Sequence, residues 1–228
     1  CVVKTELALA KRTSQNASII LLEEPENHLS HTRLNQLIKC ISEQYAEKQI
    51  LISTHSSLVA NKLGLRKVML LENLRIIKFS ELSGDTYNFF KKVAGYDTLR
   101  MILCKKAILC EGDSDELVIQ KAYMQLNDGR LPIEDGIEVI SVGVSFLRFL
   151  EIADCIQTKI AVVTDNDGDL AAINKKYENY IGANQKEYIK ICVDDVVDTG
   201  TLKIGKSDYN YNTLEPKLLK ANGLDKLT

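Results

Sequence analysis

Two acidic runs hold the side chains best suited to chemistry. The first reads Glu111-Gly112-Asp113-Ser114-Asp115-Glu116 and follows the apolar run Ala107-Ile108-Leu109-Cys110. The second reads Asp165-Asn166-Asp167-Gly168-Asp169 and follows Lys159-Ile160-Ala161-Val162-Val163-Thr164. Short apolar runs of this kind form buried strands, so each acidic run falls at the C-terminal edge of a sheet. Carboxylates gathered there repel one another unless a counter-charge intervenes, and a divalent cation with oxygen ligands supplies it. The pattern points to metal-dependent phosphate chemistry.

A third acidic run, Glu23-Glu24-Pro25-Glu26, follows Ser18-Ile19-Ile20-Leu21-Leu22, and His55 follows the run Gln49-Ile50-Leu51-Ile52-Ser53-Thr54. A carboxylate at one strand end can orient water, and a histidine at the next can bond a phosphate. The plainer alternative is a solvated helix start, where acidic residues are favoured anyway; His55 at the next strand end argues against it. Other charges have plain readings. Asp113, Ser114 and Glu116 read as helix-start residues, and Asp194, Asp195 and Asp198 as solvated loop charges. Cys110 and Cys155 read as core, and His28 and His31 as surface residues or loop contacts rather than metal ligands. A calcium-binding helix–loop–helix needs a Glu twelve positions into its loop; counting from Asp165 that position is Lys176, which excludes it.

The elements that must position these groups alternate between strand and helix. An amphipathic helix over residues 29–47 carries Leu34, Leu37, Ile38 and Ile41 on one face, and a further strand covers Lys67 to Glu72. Strand, helix, strand with short links implies a parallel sheet. Residues 73–104 lack a catalytic pattern: Arg75 to Phe79 and Tyr87 to Phe90 read as short strands around a Ser83-Gly84-Asp85 turn, and Asp97 to Leu103 as a helix. Lys91, Lys92, Arg100, Lys105 and Lys106 make a mildly basic solvated face. Beyond lie strands at 107–110, 137–141, 159–164 and 188–193. Helices are expected at 115–126, 145–156 (capped by Ser145) and 170–180, another α/β unit with a parallel core.

Composition sets the limits. The chain has 228 residues, a net charge of −2 and 45% hydrophobic residues, with a mean hydropathy of −0.09. No run approaches the ~20 apolar residues of a membrane span, and no signal peptide is recognisable. The six cysteines contain no CxxC pair, consistent with a reduced, cytoplasmic protein. Global charge announces no nucleic acid, so any DNA contact needs a local basic face or a metal.

The N-terminal motifs resemble ABC-type ATPases: Ile19 to Leu29 is similar to their Walker B strand and D-loop, and Leu51-Ile52-Ser53-Thr54-His55 to the switch histidine. The resemblance implies Glu23 near the magnesium shell, Glu24 as the base that polarises water, and His55 on the γ-phosphate. Glu-Glu-Pro-Glu is the form of the RecF-like and OLD-like branch. No GxxxxGK[ST] occurs, so residues 1–82 are expected to be the C-terminal part of an ATPase domain, in a piece of a longer protein that binds ATP. Val3 to Ala10 resembles the helix after the ABC signature.

The later motifs resemble a Toprim domain, whose hallmarks are a strand-end Glu-Gly and an Asp-x-Asp two strands on; this chain has Glu111-Gly112 and Asp165-Asn166-Asp167. Asp115, four positions after Glu111, and Thr213-Leu214-Glu215 are similar to the nucleases of the OLD (overcoming lysogenization defect) family, Gabija-type anti-phage nucleases included. Gly143-Val144-Ser145-Phe146 stands where that branch has a turn near the metals. The resemblance implies an α/β protein: a partial ABC-type ATPase lobe (1–82), a linker (83–104) and a Toprim domain with a parallel central sheet (105–228). It implies two Mg²⁺ or Mn²⁺ ions held by Glu111, Asp115, Asp165, Asp167, Asp169 and Glu215, with Glu111, Asp165, Asp167 and Glu24 catalytic. It also implies DNA as substrate, a dimer or larger oligomer through the ATPase region, a defence-system partner protein, and a catalytic Lys beyond Thr228; Lys217, Lys220 and Lys226 are not assigned that role. Two alternatives stay open: an ATP-sensing scaffold or nucleic-acid-binding Toprim protein without nuclease activity, and a Toprim primase or RNA nuclease.

Overall fold

In the computed structural model, residues 19–27, 29–44, 49–72, 74–80, 82–92, 97–204 and 206–223 are described. Val3 to Ala10, His28 and Lys226 lie outside them. The chain divides into two compact units, Cys1–Thr98 and Leu99–Thr228.

The N-terminal unit is built on a parallel pair, β1 (Ile19–Glu23) and β2 (Gln49–Ser53), joined through α1 (His31–Gln44). The register sets Glu23 opposite Ser53, so both strands end level. Leu34, Leu37, Ile38 and Ile41 recur at helical spacing and are buried. They pack on the inward residues Ile20, Leu22, Ile50 and Ile52, with Val59 of α2 (Ser57–Leu63) beside them.

Two expectations fail here. The third strand does not join the parallel pair: β3 (Met69–Glu72) forms an antiparallel hairpin with β4 (Arg75–Lys78). Its link to β4 is too short for a parallel crossover, which needs a dozen or more residues. Tyr87 to Phe90 is not a strand but part of α3 (Gly84–Lys92). The Ser83 hydroxyl accepts from the Thr86 amide (3.2 Å) and its carbonyl from the Tyr87 amide (3.0 Å), an N-cap that starts a helix. Thr86 and Phe90, one turn apart, are then buried together on that helix.

The C-terminal unit centres on four parallel strands: β5 (Lys106–Cys110), β6 (Ile137–Ser141), β7 (Lys159–Val163) and β8 (Ile189–Cys192), in the order β6-β5-β7-β8. The fold is thus mixed α/β with a parallel sheet, as the sequence implies. Ahead of the sheet lies α4 (Asp97–Leu103). Between the strands run α5 (Asp113–Leu126), α6 (Phe146–Ile156) and α7 (Leu170–Lys176). The crossovers through α5 and α6 travel in opposite directions across the sheet, so right-handedness puts them on opposite faces. Helix α6 is the core helix: Phe146, Phe149, Leu150, Ile152, Ala153 and Ile156 are all buried, whereas α5 buries no residue fully. Helix α7 ends at Lys176, short of the expected Tyr180. A hairpin absent from the sequence reading, β9 (Thr201–Ile204) and β10 (Ser207–Asn210), precedes α8 (Leu214–Asn222).

Arg100 is not on a solvated face. Its guanidinium donates to Glu138 Oε2 (2.7 and 3.0 Å) and to the Val139 carbonyl (3.1 Å), tying α4 to β6. Among the described residues no helix is long and apolar enough to cross a membrane.

Candidate functional site

Because β1 and β2 end level, their loops meet. The Glu24 amide donates to the Ser53 carbonyl (2.8 Å), and Glu24 takes a positive φ of 39°, turning the chain sharply after β1. Glu24 Oε1 lies 3.5 Å from His55 Nε2, and Asn27 donates to the Glu24 carboxylate. The sequence reading missed Glu26 as a fastener. Its Oε1 accepts from Thr54 Oγ1 (2.6 Å) and from the His55 amide (3.0 Å). Burial raises the Glu26 pKa, but these bonds outweigh it and hold the carboxyl below its ordinary value. Glu23 closes β1 as an exposed residue.

In the C-terminal unit the carboxylates sit on the loops after β5 and β7, adjacent in the sheet. After β5, the Glu111 carbonyl accepts from the Gly143 amide (3.0 Å) and Ser141 Oγ (3.2 Å), which ties it to the turn after β6. Gly143 has a φ of 58°, which glycine adopts without strain. Asp115 Oδ2 accepts from the Gly112 amide (2.9 Å), closing the first turn of α5. Ser145 stands at the N-cap of α6, but its side chain makes no capping bond.

The loop after β7 is anchored by Asn166, whose position inside the acidic run hid its role. It is 0% exposed, and its Nδ2 donates to the carbonyls of Asp194 and Val196 (both 2.9 Å). Its Oδ1 accepts from the Gly168 amide (3.0 Å). Asp167 and Gly168 in this turn take φ values of 50° and 83°. Asp165 Oδ2 accepts from the Leu214 amide (3.1 Å), the first residue of α8. An anion at that helix N-terminus is favoured by the dipole.

Asp194 and Asp198 are loop charges, as expected, but they also have partners. They form ion pairs with Lys217 and Lys220 of α8. Asn212, buried at 3% exposure, exchanges two 2.8 Å hydrogen bonds with the Asp198 backbone. These contacts hold the Thr213-Leu214-Glu215 corner against the loop after β8.

The carboxylates fall into two groups. Glu111, Asp115, Asp165 and Asp167 act on one another electrostatically. Burial raises the Asp165 pKa first, the Leu214 amide opposes it, and repulsion from Asp115, Glu111 and Asp167 adds to it, with the result pushed up to about 6. Burial and then Asp167 raise Glu111, with Lys176 opposing and Asp115 adding. By contrast, Asp169 spends one oxygen capping α7, accepting from the Ala172 amide (2.9 Å), and Glu215 is exposed in the first turn of α8. Among the described residues no three His, Cys, Asp or Glu side chains converge closely enough to form a finished metal shell. The donor set nevertheless fits a hard divalent cation: it is all carboxylate, with no sulfur or imidazole, and Glu111 and Asp165 have raised pKa values to which their acidic neighbours contribute. Cys110, directly before Glu111, is buried with its thiol pushed up to about 12 by burial and by Asp115, so it stays protonated core. A cleft of about 550 Å³ lies elsewhere, along the opposite strand ends at Lys106, Ile137 and Lys159.

Level acidic loops at the C-terminal ends of parallel strands define an α/β domain suited to phosphate chemistry. Residues 102–167 match the family model described as "Overcoming lysogenization defect protein-like, TOPRIM domain". Residues 6–61 match the model described as "AAA domain, putative AbiEii toxin, Type IV TA system". No curated protein matches the chain. In this order the two matches fit the OLD-family arrangement of an ATPase followed by a Toprim domain, a nuclease and ATPase family.

Proposed function

We propose that this chain is the nuclease-bearing part of an ATP-regulated, metal-dependent DNA endonuclease acting in anti-phage defence. The observation that carries the reading is the electrostatic cluster of Glu111, Asp115, Asp165 and Asp167 on neighbouring strand ends. These residues would hold Mg²⁺ or Mn²⁺, with Asp169 and Glu215 beside them, in two sites. Such ions, when bound, polarise a phosphodiester and activate water. The chain's part is positioning. Asn166 holds the Asp165–Asp167 loop, the Gly143 amide holds Glu111, and the Leu214 amide orients Asp165. The nuclease function is assigned to residues 105–228 and the ATPase function to residues 1–82, joined by 83–104.

In the ATPase segment, Glu23 lies near the nucleotide's magnesium, Glu24 orients the attacking water and His55 contacts the γ-phosphate. The 3.5 Å approach of Glu24 to His55 supports that pairing. The protein works in the cytoplasm on DNA, as a dimer or larger oligomer through the ATPase region, with a defence-system partner. One observation favours a second reading, an ATP-sensing scaffold without nuclease activity: no three carboxylates close into a shell among the described residues.

Nicking of supercoiled plasmid by the full-length protein (the parent) with Mg²⁺ or Mn²⁺ separates the two. The nuclease reading expects nicking by the parent and none by the Asp165→Ala, Asp167→Ala variant. Absence of nicking by the parent with either metal, with and without ATP, overturns it in favour of the scaffold.

A further inference from the structure

Lys176 is the cation whose charge acts on Glu111 within the acidic cluster. It ends α7 and is half-buried. Its Nζ lies 5.2 Å from the ring centroids of both Phe146 and Tyr177, which themselves meet edge to face at 6.4 Å. Two ring faces hold an ammonium without consuming its three donors in ion pairs. Phe146 opens α6 directly after the turn whose Gly143 amide is bonded to Glu111, so this aromatic seat is tied to the acidic loop itself.

A second observation points to a ligand at the same place. Tyr177 is 0% exposed, yet its hydroxyl has no more than a weak contact to the Thr164 hydroxyl as a hydrogen-bond partner. Thr164, the residue before Asp165, is the side chain beside it, and the charge of Glu111 reaches it. A buried hydroxyl so poorly bonded is costly to keep. Such groups commonly mark an ordered water or ion that completes the site. An acidic cluster built to hold cations has no need of a lysine as a metal ligand, since an ammonium has no lone pair to give. Its donors suit an anion brought to the metals.

Resting on the nuclease reading above, we infer that Lys176, seated over Phe146 and Tyr177 beside Glu111, binds a backbone phosphate of the DNA substrate at the Toprim site. Tyr177 is a positioning residue: its ring supports the ammonium.

The test is DNA binding by the full chain with Ca²⁺ in place of Mg²⁺, read as fluorescence anisotropy of a labelled duplex across a KCl series. One phosphate contact contributes a slope of about 0.9 in log K against log salt, or about fivefold in affinity near ~0.15 M. Lys176→Ala is expected to lose that slope increment and that affinity, and Lys176→Arg to regain them. Tyr177→Phe, which keeps the ring, should retain the slope. Mn²⁺ affinity, followed by electron paramagnetic resonance, should not fall in Lys176→Ala, because removing a neighbouring positive charge does not weaken a cation site.

An unchanged slope in Lys176→Ala, with the parent binding DNA normally, overturns the inference and leaves the nuclease reading standing. So does a joint fall in Mn²⁺ affinity and melting temperature that Lys176→Arg fails to rescue, since that marks a structural role. A parent with no salt-dependent DNA binding overturns both.

Discussion

In the C-terminal unit Leu109, Ile140 and Val162 form one row across the sheet, and all three are fully buried. In the N-terminal unit the outward residues of the parallel pair, Ile19, Leu21 and Leu51, lie open, Leu21 at 72%. Both units place acidic loops at the C-terminal ends of parallel strands, but they hold those ends differently. Four strands covered by α6 make a sheet with a core of its own. Among the described residues the N-terminal parallel sheet has two strands packed on one face, which is marginal as a sheet, and its chemical end is laced by side chains: Glu26 to Thr54 and His55, and Glu24 toward His55. The C-terminal site rests on a packed sheet and on the bonds of Asn166 and the Leu214 amide together, whereas the N-terminal site leans on polar fasteners with one packed face.

The largest expected effect breaks the packing side of this contrast. Leu150→Ala, at a fully buried position of α6, should cost about 2–5 kcal/mol in urea unfolding. Leu21→Ala, at an open position, should stay within about 0.5 kcal/mol. Equal losses would show that the open face is covered in solution and that the contrast is false.

Asn166→Ala comes next. It removes a buried amide that donates twice and accepts once, leaving carbonyls of Asp194 and Val196 unpaired, at a cost of about 2–3 kcal/mol. Limited proteolysis should then cut near Asp194 to Asp198 sooner than in the parent. An unchanged cleavage pattern would mean that Lys217, Lys220 and Asn212 suffice to fasten that loop.

The smallest effects are opposite responses to pH, read by hydrogen exchange of each unit in metal-free protein. Asp165 has a folded pKa of about 6 against an ordinary 3.8. Its contribution is therefore fully present below 3.8 and lost as pH rises through about 6. Protection around β7 should fall across that window, and Asp165→Asn should flatten the fall. Glu26 is held below its ordinary 4.5. Its contribution is present above 4.5 and lost as pH falls through the lower folded value. The β1 and β2 ends should thus loosen in acid, and Glu26→Gln should remove that dependence. Slopes of the same sign in both units would contradict the assignment of repulsion to one site and fastening to the other.

The sequence by itself determined the α/β pattern, the strands that end in acid, and the order of the two functional segments. These are local: apolar runs of strand length, a helical stripe such as Leu34 to Ile41, and carboxylates next to the run they terminate. The tertiary structure decided what depends on partners far along the chain. Asp165 meets the Leu214 amide 49 positions away, Asn166 meets the backbone at Asp194 and Val196, and Arg100 meets Glu138. Identical-looking acidic residues therefore diverge: Asp165 and Glu111 gather charge, Asp169 caps a helix, and Asp194 and Asp198 pair with lysines. Composition cannot separate these roles, because a carboxylate's behaviour is set by whichever donor or charge the fold brings against it. Lys176 shows the same point: in sequence it is one lysine at a helix end, and only folding brings it to the ring of Phe146.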